Sequence, residues 1–147
     1  MPAILPAFLL VACGPSAAPE EAIRLWLAEA QSAAEARDRR RLMDMVSPAY
    51  ADARGNDRDD IDRMLRLMFL RSQNILLVSK VDELALVGDP AEASAATVSL
   101  TVGMAGSDSG IRGLSADAYR FELELEKHDD GWLLLGARWA EVGQALR

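Results

Sequence analysis

Cysteine occurs once in these 147 residues and histidine once, which rules out an intrachain disulfide and any thiolate-rich or multi-histidine metal centre. Cations are the minority charge: 16 Lys and Arg stand against 23 Asp and Glu, for a net charge of −7. That balance argues against nucleic acid as a partner, because phosphate binding needs a basic surface. Arg37, Arg39, Arg40 and Arg41 do cluster, but Glu35, Asp38 and Asp44 interrupt them as on a solvated helix face. The longest apolar run, Pro2 to Ala12, falls short of the ~20 residues of a membrane span. Reaction signatures are missing too. The glycines from Gly103 to Gly113 lack a Gly-Lys-Ser/Thr ending, and there is no Gly-x-Ser-x-Gly elbow and no His-Glu-x-x-His. Asp57, Asp59, Asp60 and Asp62 lack the glycine and distal glutamate of an EF-hand loop and read as a helix N-terminus. His128, beside Asp129 and Asp130, reads as part of a solvated turn. Nothing calls for a cofactor or a metal.

What is present is the composition of an ordered domain, 50% hydrophobic and 27% charged. The uncharged run Pro2 to Ala12 has the length of a signal h-region and ends in Leu10-Val11-Ala12-Cys13. That ending resembles the lipobox of bacterial lipoproteins, an aliphatic residue three before a cysteine with small residues next to it. The resemblance implies cleavage before Cys13 and a diacylglyceryl thioether on its sulfur, which withdraws the only thiol from other chemistry. No Lys or Arg precedes the run, so either the basic start of such a signal lies upstream of Met1 or export is inefficient. Two or three acyl chains hold a protein to a bilayer firmly, at ~0.8 kcal/mol per buried methylene. Gly14 stands where a retention-type Asp would argue for the inner membrane, and resemblance to enterobacterial sorting therefore favours the outer membrane over the inner, facing the periplasm. Residues 1–12 are thus expected to be signal, and 13–19 the lipidated Cys and a short tether. Residues 20–147 would then form one domain, with enough chain for a core.

The domain begins helical. Ile23, Trp26, Leu27, Ala30 and Ala34 recur at helical spacing from Glu20 to about Arg37. Asp38 N-caps a short helix to about Met45, ended by Ser47-Pro48. A polar loop, 51–57, precedes a third helix from Arg58 to Ser72. Strands follow. Ile75 to Val87 changes phase, which predicts a bulge between Ser79 and Asp82, and Ala93 to Met104 comes next. After a glycine-rich loop, Tyr119, Phe121, Leu123 and Leu125 alternate with Arg120, Glu122, Glu124 and Glu126. Asp129-Asp130-Gly131 predicts a three-residue bulged hairpin loop, with His128 opposite Trp132, Leu125 opposite Leu135, Leu123 opposite Ala137 and Phe121 opposite Trp139. In that register Trp132 and Leu134 face outward.

Two or three N-terminal helices packed on a bent four-stranded antiparallel sheet make an α+β, cone-shaped roll. Ala36-Arg37-Asp38 before Leu42, Ser47-Pro48-Ala49-Tyr50, Asp130-Gly131-Trp132-Leu133 and Ala137-Arg138-Trp139 carry a resemblance to the nuclear transport factor 2-like superfamily over nearly the whole domain. The resemblance implies a pocket between helices and sheet, for which Trp26, Tyr50, Phe69, Phe121 and Trp139 are the lining candidates. It does not choose an activity, since the superfamily holds isomerases, cyclases and dehydratases as well as binding and assembly domains. Acid–base chemistry would have to use Asp52 with Tyr50 or Tyr119, the only such set, and no spacing enforces their convergence. The leading expectation is a lipid-anchored envelope protein that binds a small apolar ligand or an envelope protein without catalysis. The alternatives are a small-molecule isomerase or hydrolase, and a homodimer paired through Trp132 and Leu134.

Overall fold

The computed structural model describes residues 18–108 and 114–147. Cys13, the signal segment, tether residues 13–17 and the glycines Gly110 and Gly113 lie outside the described residues.

Helix α1 spans Pro19–Glu35, started by a proline at its first position and by Glu20 and Glu21 against the positive helix end. It therefore takes in Pro19, which the sequence places in the tether. Arg37 ends it in the left-handed region, at φ 54°, where glycine is usual. Arg37 N–H donates to Ala34 O at 3.0 Å and Asp38 N–H to Ala33 O at 2.8 Å, closing the last turn. The cost of a left-handed non-glycine, ~1 kcal/mol or more, is offset by the guanidinium, which donates to Ser72 O and Gln73 O. Helix α2, Arg39–Asp44, is capped by Asp38, whose carboxylate accepts from Arg41 N–H. Helix α3, Arg58–Arg71, opens on a reciprocal capping box between Asp57 and Asp60.

Strands β1 (Ser72–Val87), β2 (Ala95–Asp108), β3 (Leu114–His128) and β4 (Gly131–Glu141) form one antiparallel sheet in chain order. The α+β roll expected from the sequence is what the chain forms. The strands run further than their apolar alternation suggested: Gly103 and Gly106 pair within β2 rather than forming a loop. The bulge in β1 falls between Val81 and Glu83, where the change of phase placed it. One face of the sheet carries Val98, Leu100, Val102, Leu123 and Leu125, on which Ile23 of α1 is fully buried.

The last hairpin departs from expectation. His128 pairs with Gly131 and Leu125 with Leu134, whereas Leu123–Ala137, Glu122–Arg138 and Phe121–Trp139 pair as read from the sequence. The extra residue therefore sits at Leu135, midway along β4, and not in the turn. An alternating strand puts Trp132 and Leu134 on the face opposite Ala137 and Trp139, and one inserted residue brings both pairs to the same face. Trp132 is consequently 6% exposed within the core, and Leu134 packs against both apolar clusters. Neither belongs to an outer patch, which removes them as interface candidates.

The buried Gly136, next to the bulge, lets another segment approach. A Cβ there would meet Ala51 O at 3.0 Å and the Glu124 carboxylate at 3.3 Å. Gly136→Ala is expected to destabilise the domain by about 1–3 kcal/mol. Gly103→Ala, whose nearest neighbour would be Val78 O at 3.8 Å, should cost less than ~1 kcal/mol. Urea midpoints of the two variants check the ranking.

Candidate ligand-binding cavity

Between α1 and the inner face of the sheet lies a cavity of about 280 Å³, close to the lower end of small-molecule sites. Trp26, Leu27, Ala30 and Ala34 of α1 form one wall, and Leu100, Val102, Phe121 and Leu123 form the floor. Leu42, Met45, Val46, Ile61 and Leu65 close one side; Leu77 and Val81 close the other. Almost the whole lining is carbon. Its polar side chains are Gln31 and Ser79, which engage each other: Ser79 Oγ donates to Gln31 Oε1 at 2.7 Å, while Gln31 Nε2 donates to Leu77 O at 3.0 Å. Glu35 completes this seam by accepting from Leu77 N–H at 2.9 Å. The buried indole N–H groups of Trp26 and Trp132 have no partner among the described residues.

Trp26 and Phe121 thus line the cavity. Tyr50, Phe69 and Trp139 are not among its lining residues, each for a visible reason. Tyr50 is 3% exposed in a second cluster with Met43 and Val46, so Val46 takes the place beside the cavity. Helix α3 turns Ile61 and Leu65 to the cavity, and Phe69 lies a turn further on, where the helix runs into β1. Trp139 serves as a platform for Arg54, whose guanidinium lies 4.2 Å from the ring centroid and donates to Trp139 O. Gln31 was legible in the sequence and missed. It falls inside the apolar stripe of α1, four residues after Leu27 and three before Ala34.

Of the acid–base candidates, Asp52 and Tyr50 meet each other, and Tyr119 stands apart. Asp52 accepts from Tyr50 Oη at 3.0 Å, from the backbone N–H of Arg54 and Asn56, and from Asn56 Nδ2. Partial burial raises its pKa, but these donors outweigh it and hold the carboxyl below the usual range. Burial first, and then the Asp52 carboxylate, push the Tyr50 phenol far above its ordinary value. Together they form a loop clasp away from the cavity lining. Tyr119 lies on β3 opposite Glu141, its ring tilted against Phe121 at 6.4 Å. Burial, with Asp117 and Glu141 nearby, raises its pKa as well. No shared atom or hydrogen bond among those described joins Tyr119 to Asp52. Among the described residues no group of three or more His, Cys, Asp or Glu is placed to hold a metal ion. His128 Nε2 lies 2.6 Å from Glu126 Oε1, at the hairpin end.

No family model matches this sequence, and no curated protein does. Solved structures do match by shape. A candidate scytalone dehydratase from Novosphingobium aromaticivorans superposes with a TM-score of 0.72 at 12% identity, over 86% of this chain and 94% of the other. A candidate dehydratase of the nuclear transport factor 2-like family from Streptomyces avermitilis gives 0.68 at 15% identity, over 84% and 96%. A ketosteroid isomerase-like protein from Erwinia carotovora gives 0.64 at 12% identity, over 86% and 95%. The chain has the nuclear transport factor 2-like fold. At these identities the likeness establishes the fold and not an activity.

Because the Asp52 pKa is depressed in the folded state, its stabilising effect is present above the unfolded carboxyl pKa and fades as pH falls through the folded one. Asp52→Asn is expected to cost about 1–2 kcal/mol at neutral pH through lost and mismatched hydrogen bonds. The gap to the unmodified chain should narrow as the pH is taken below the ordinary carboxyl range and through the depressed folded-state pKa. Urea titrations across that range test both the size and the sign.

Proposed function

We propose that this chain is a cell-envelope protein, held to a membrane through a lipid on Cys13, whose cone-shaped domain binds a small neutral apolar molecule without transforming it. The observation that carries the binding part is the lining of the 280 Å³ cavity, in which Gln31 and Ser79 are the polar side chains and every other is hydrocarbon, aromatic or thioether. An ionised ligand would be desolvated there without a counter-charge, at a cost of several kcal/mol. A neutral ligand loses nothing of that kind, and its apolar surface contributes ~25 cal/mol per Å² removed from water. One polar group on such a ligand has a counterpart in the Gln31–Ser79 pair, whose amide keeps a second N–H and a second lone pair.

Two features favour binding over chemistry. General acid–base catalysis needs a titratable group within reach of the substrate, and the cavity lining has none. The one carboxylate–phenol pair, Asp52 with Tyr50, is saturated by its own loop. The dehydratase and isomerase-like descriptions belong to the shape-matched proteins, and the described residues that line this cavity include no acid or base with which to follow them.

A neutral naphthylamine probe should bind saturably, one per chain, with quenching of Trp26 emission. Ala30→Phe fills the cavity from the α1 wall and should weaken that binding at least about tenfold while leaving the melting temperature within a few degrees. Binding that does not saturate, or that is indifferent to Ala30→Phe, would sink the cavity reading. The anchor has its own check, incorporation of labelled palmitate by the full chain in a bacterial host and its loss in Cys13→Ser.

A further inference from the structure

Helix α3 holds none of its residues fully buried. Ile61 and Leu65 face the cavity, and the opposite side of the helix carries Asp59, Arg63, Arg66, Leu67 and Leu70. Leu67 is 53% and Leu70 77% exposed, with Met64 at the rim at 38%. Charge is distributed unevenly around this surface. Asp57, Asp59, Asp60 and Asp62 gather at the start of α3, where Asp60 pairs with Arg63 and Asp62 with Arg39 and Arg66. After Asp62 no acidic residue occurs until Asp82, while Arg63, Arg66, Arg71 and Lys80 fall within that stretch. Arg37 adds a further cation where α3 meets β1, held to Ser72 O and Gln73 O, and Glu35 of α1 is the acid on that side, bonded to Leu77 N–H.

The same acid-free stretch holds Met64, Leu67, Leu70, Leu76 and Val78, most of the large apolar side chains exposed among the described residues. In a chain of net charge −7, cations and exposed hydrocarbon are thus drawn to one segment. We infer that the outer face of α3 docks on an anionic lipid surface. Leu67 and Leu70 enter the headgroup boundary with Arg71 at the phosphates, and the Arg63 and Arg66 stems lie along the leucines, their guanidinium groups exchanging Asp60 and Asp62 for phosphate oxygens. The acidic remainder of the domain is repelled by the same surface, which selects this face over the others. The docking needs neither the cavity nor a lipid on Cys13.

The test uses the full chain with Cys13→Ser and Met64→Cys, the new thiol carrying an environment-sensitive fluorophore. A second labelled chain with Val142→Cys, also exposed in the unmodified chain, serves as the reference position. On vesicles of phosphatidylcholine with about 30 mol % phosphatidylglycerol, the label at residue 64 should shift to the blue, at a lipid concentration at least about tenfold lower than on pure phosphatidylcholine. About 0.5 M NaCl should reverse the shift, and the label at residue 142 should not report it. Leu67→Gln with Leu70→Gln should abolish it with the far-ultraviolet spectrum unchanged. If that double variant unfolds, Arg63→Gln with Arg66→Gln should raise the required lipid concentration instead. No shift on anionic vesicles, an equal shift on neutral ones, or a shift that grows with protein concentration in the absence of lipid overturns the inference. The last of these outcomes would mean that a second copy covers the helix.

Discussion

The pairing of residues 45–51 along the free edge of β4 is the constraint on which the arrangement depends. Leu134 N–H donates to Met45 O, Ser47 N–H to Leu134 O, and Ala51 N–H to Leu135 O. Val46 and Leu134 form a parallel bridge, so a connection between helices acts as a short fifth strand. A buried backbone group left without a partner costs a few kcal/mol, so these bonds fix where α2 and α3 stand against the sheet. Arg58 reinforces them by donating to Met43 O and Val46 O. Met45 and Val46 are thereby pressed against the cavity, and Tyr50 is turned to the far side of Val46. Ser47, 1% exposed, donates to Glu126 on β3 and so ties the segment one strand deeper. The His128 contact, and after it that bond, lower the Glu126 pKa.

How much of this was legible depends on the range of the determining contact. The helices are legible because their signals are local: Asp38 as a cap, the acidic run from Asp57 to Asp62 as a helix start, Pro48 as a stop, and the stripe from Ile23 to Ala34. The phase change in β1 likewise announced its bulge near Asp82. The β4 bulge was misplaced because Asp129-Asp130-Gly131 offers a good turn in either register. What decides between them is burial of Trp132 and Leu134 against α1 and the 45–51 segment, which lie ~80 residues or more away in sequence. Pocket membership failed for the same reason. Tyr50, Phe69 and Trp139 are apolar and correctly spaced, but their direction is set by neighbours remote in sequence.

The cavity and the clasp divide the polar groups between them. Asp52 organises its loop with four accepted hydrogen bonds, and Gln31, Glu35 and Ser79 bind α1 to β1. Polar side chains near the cavity are occupied in holding elements together, which leaves an interior suited to filling rather than to proton transfer. The indole N–H groups of Trp26 and Trp132 have no partner among the described residues. Trp26 also stands on the cavity wall.

Strand β1 lies at the other edge of the sheet and is sixteen residues long, a length that invites pairing with a foreign strand. Its first part is closed by side chains: Arg37 takes the carbonyls of Ser72 and Gln73, and Gln31 and Glu35 take both backbone groups of Leu77. Its middle is guarded by the bulge and by the Lys80–Asp82 pair. The stretch from Leu84 to Val87 has no such contact among those described, and four residues make a poor template for fibrils. Protection against self-association is thus lodged largely in α1. Detaching that helix, by proteolysis or by pulling on the chain that precedes it, would uncover the long edge and the apolar interior in one event, turning a stable domain into an aggregation nucleus.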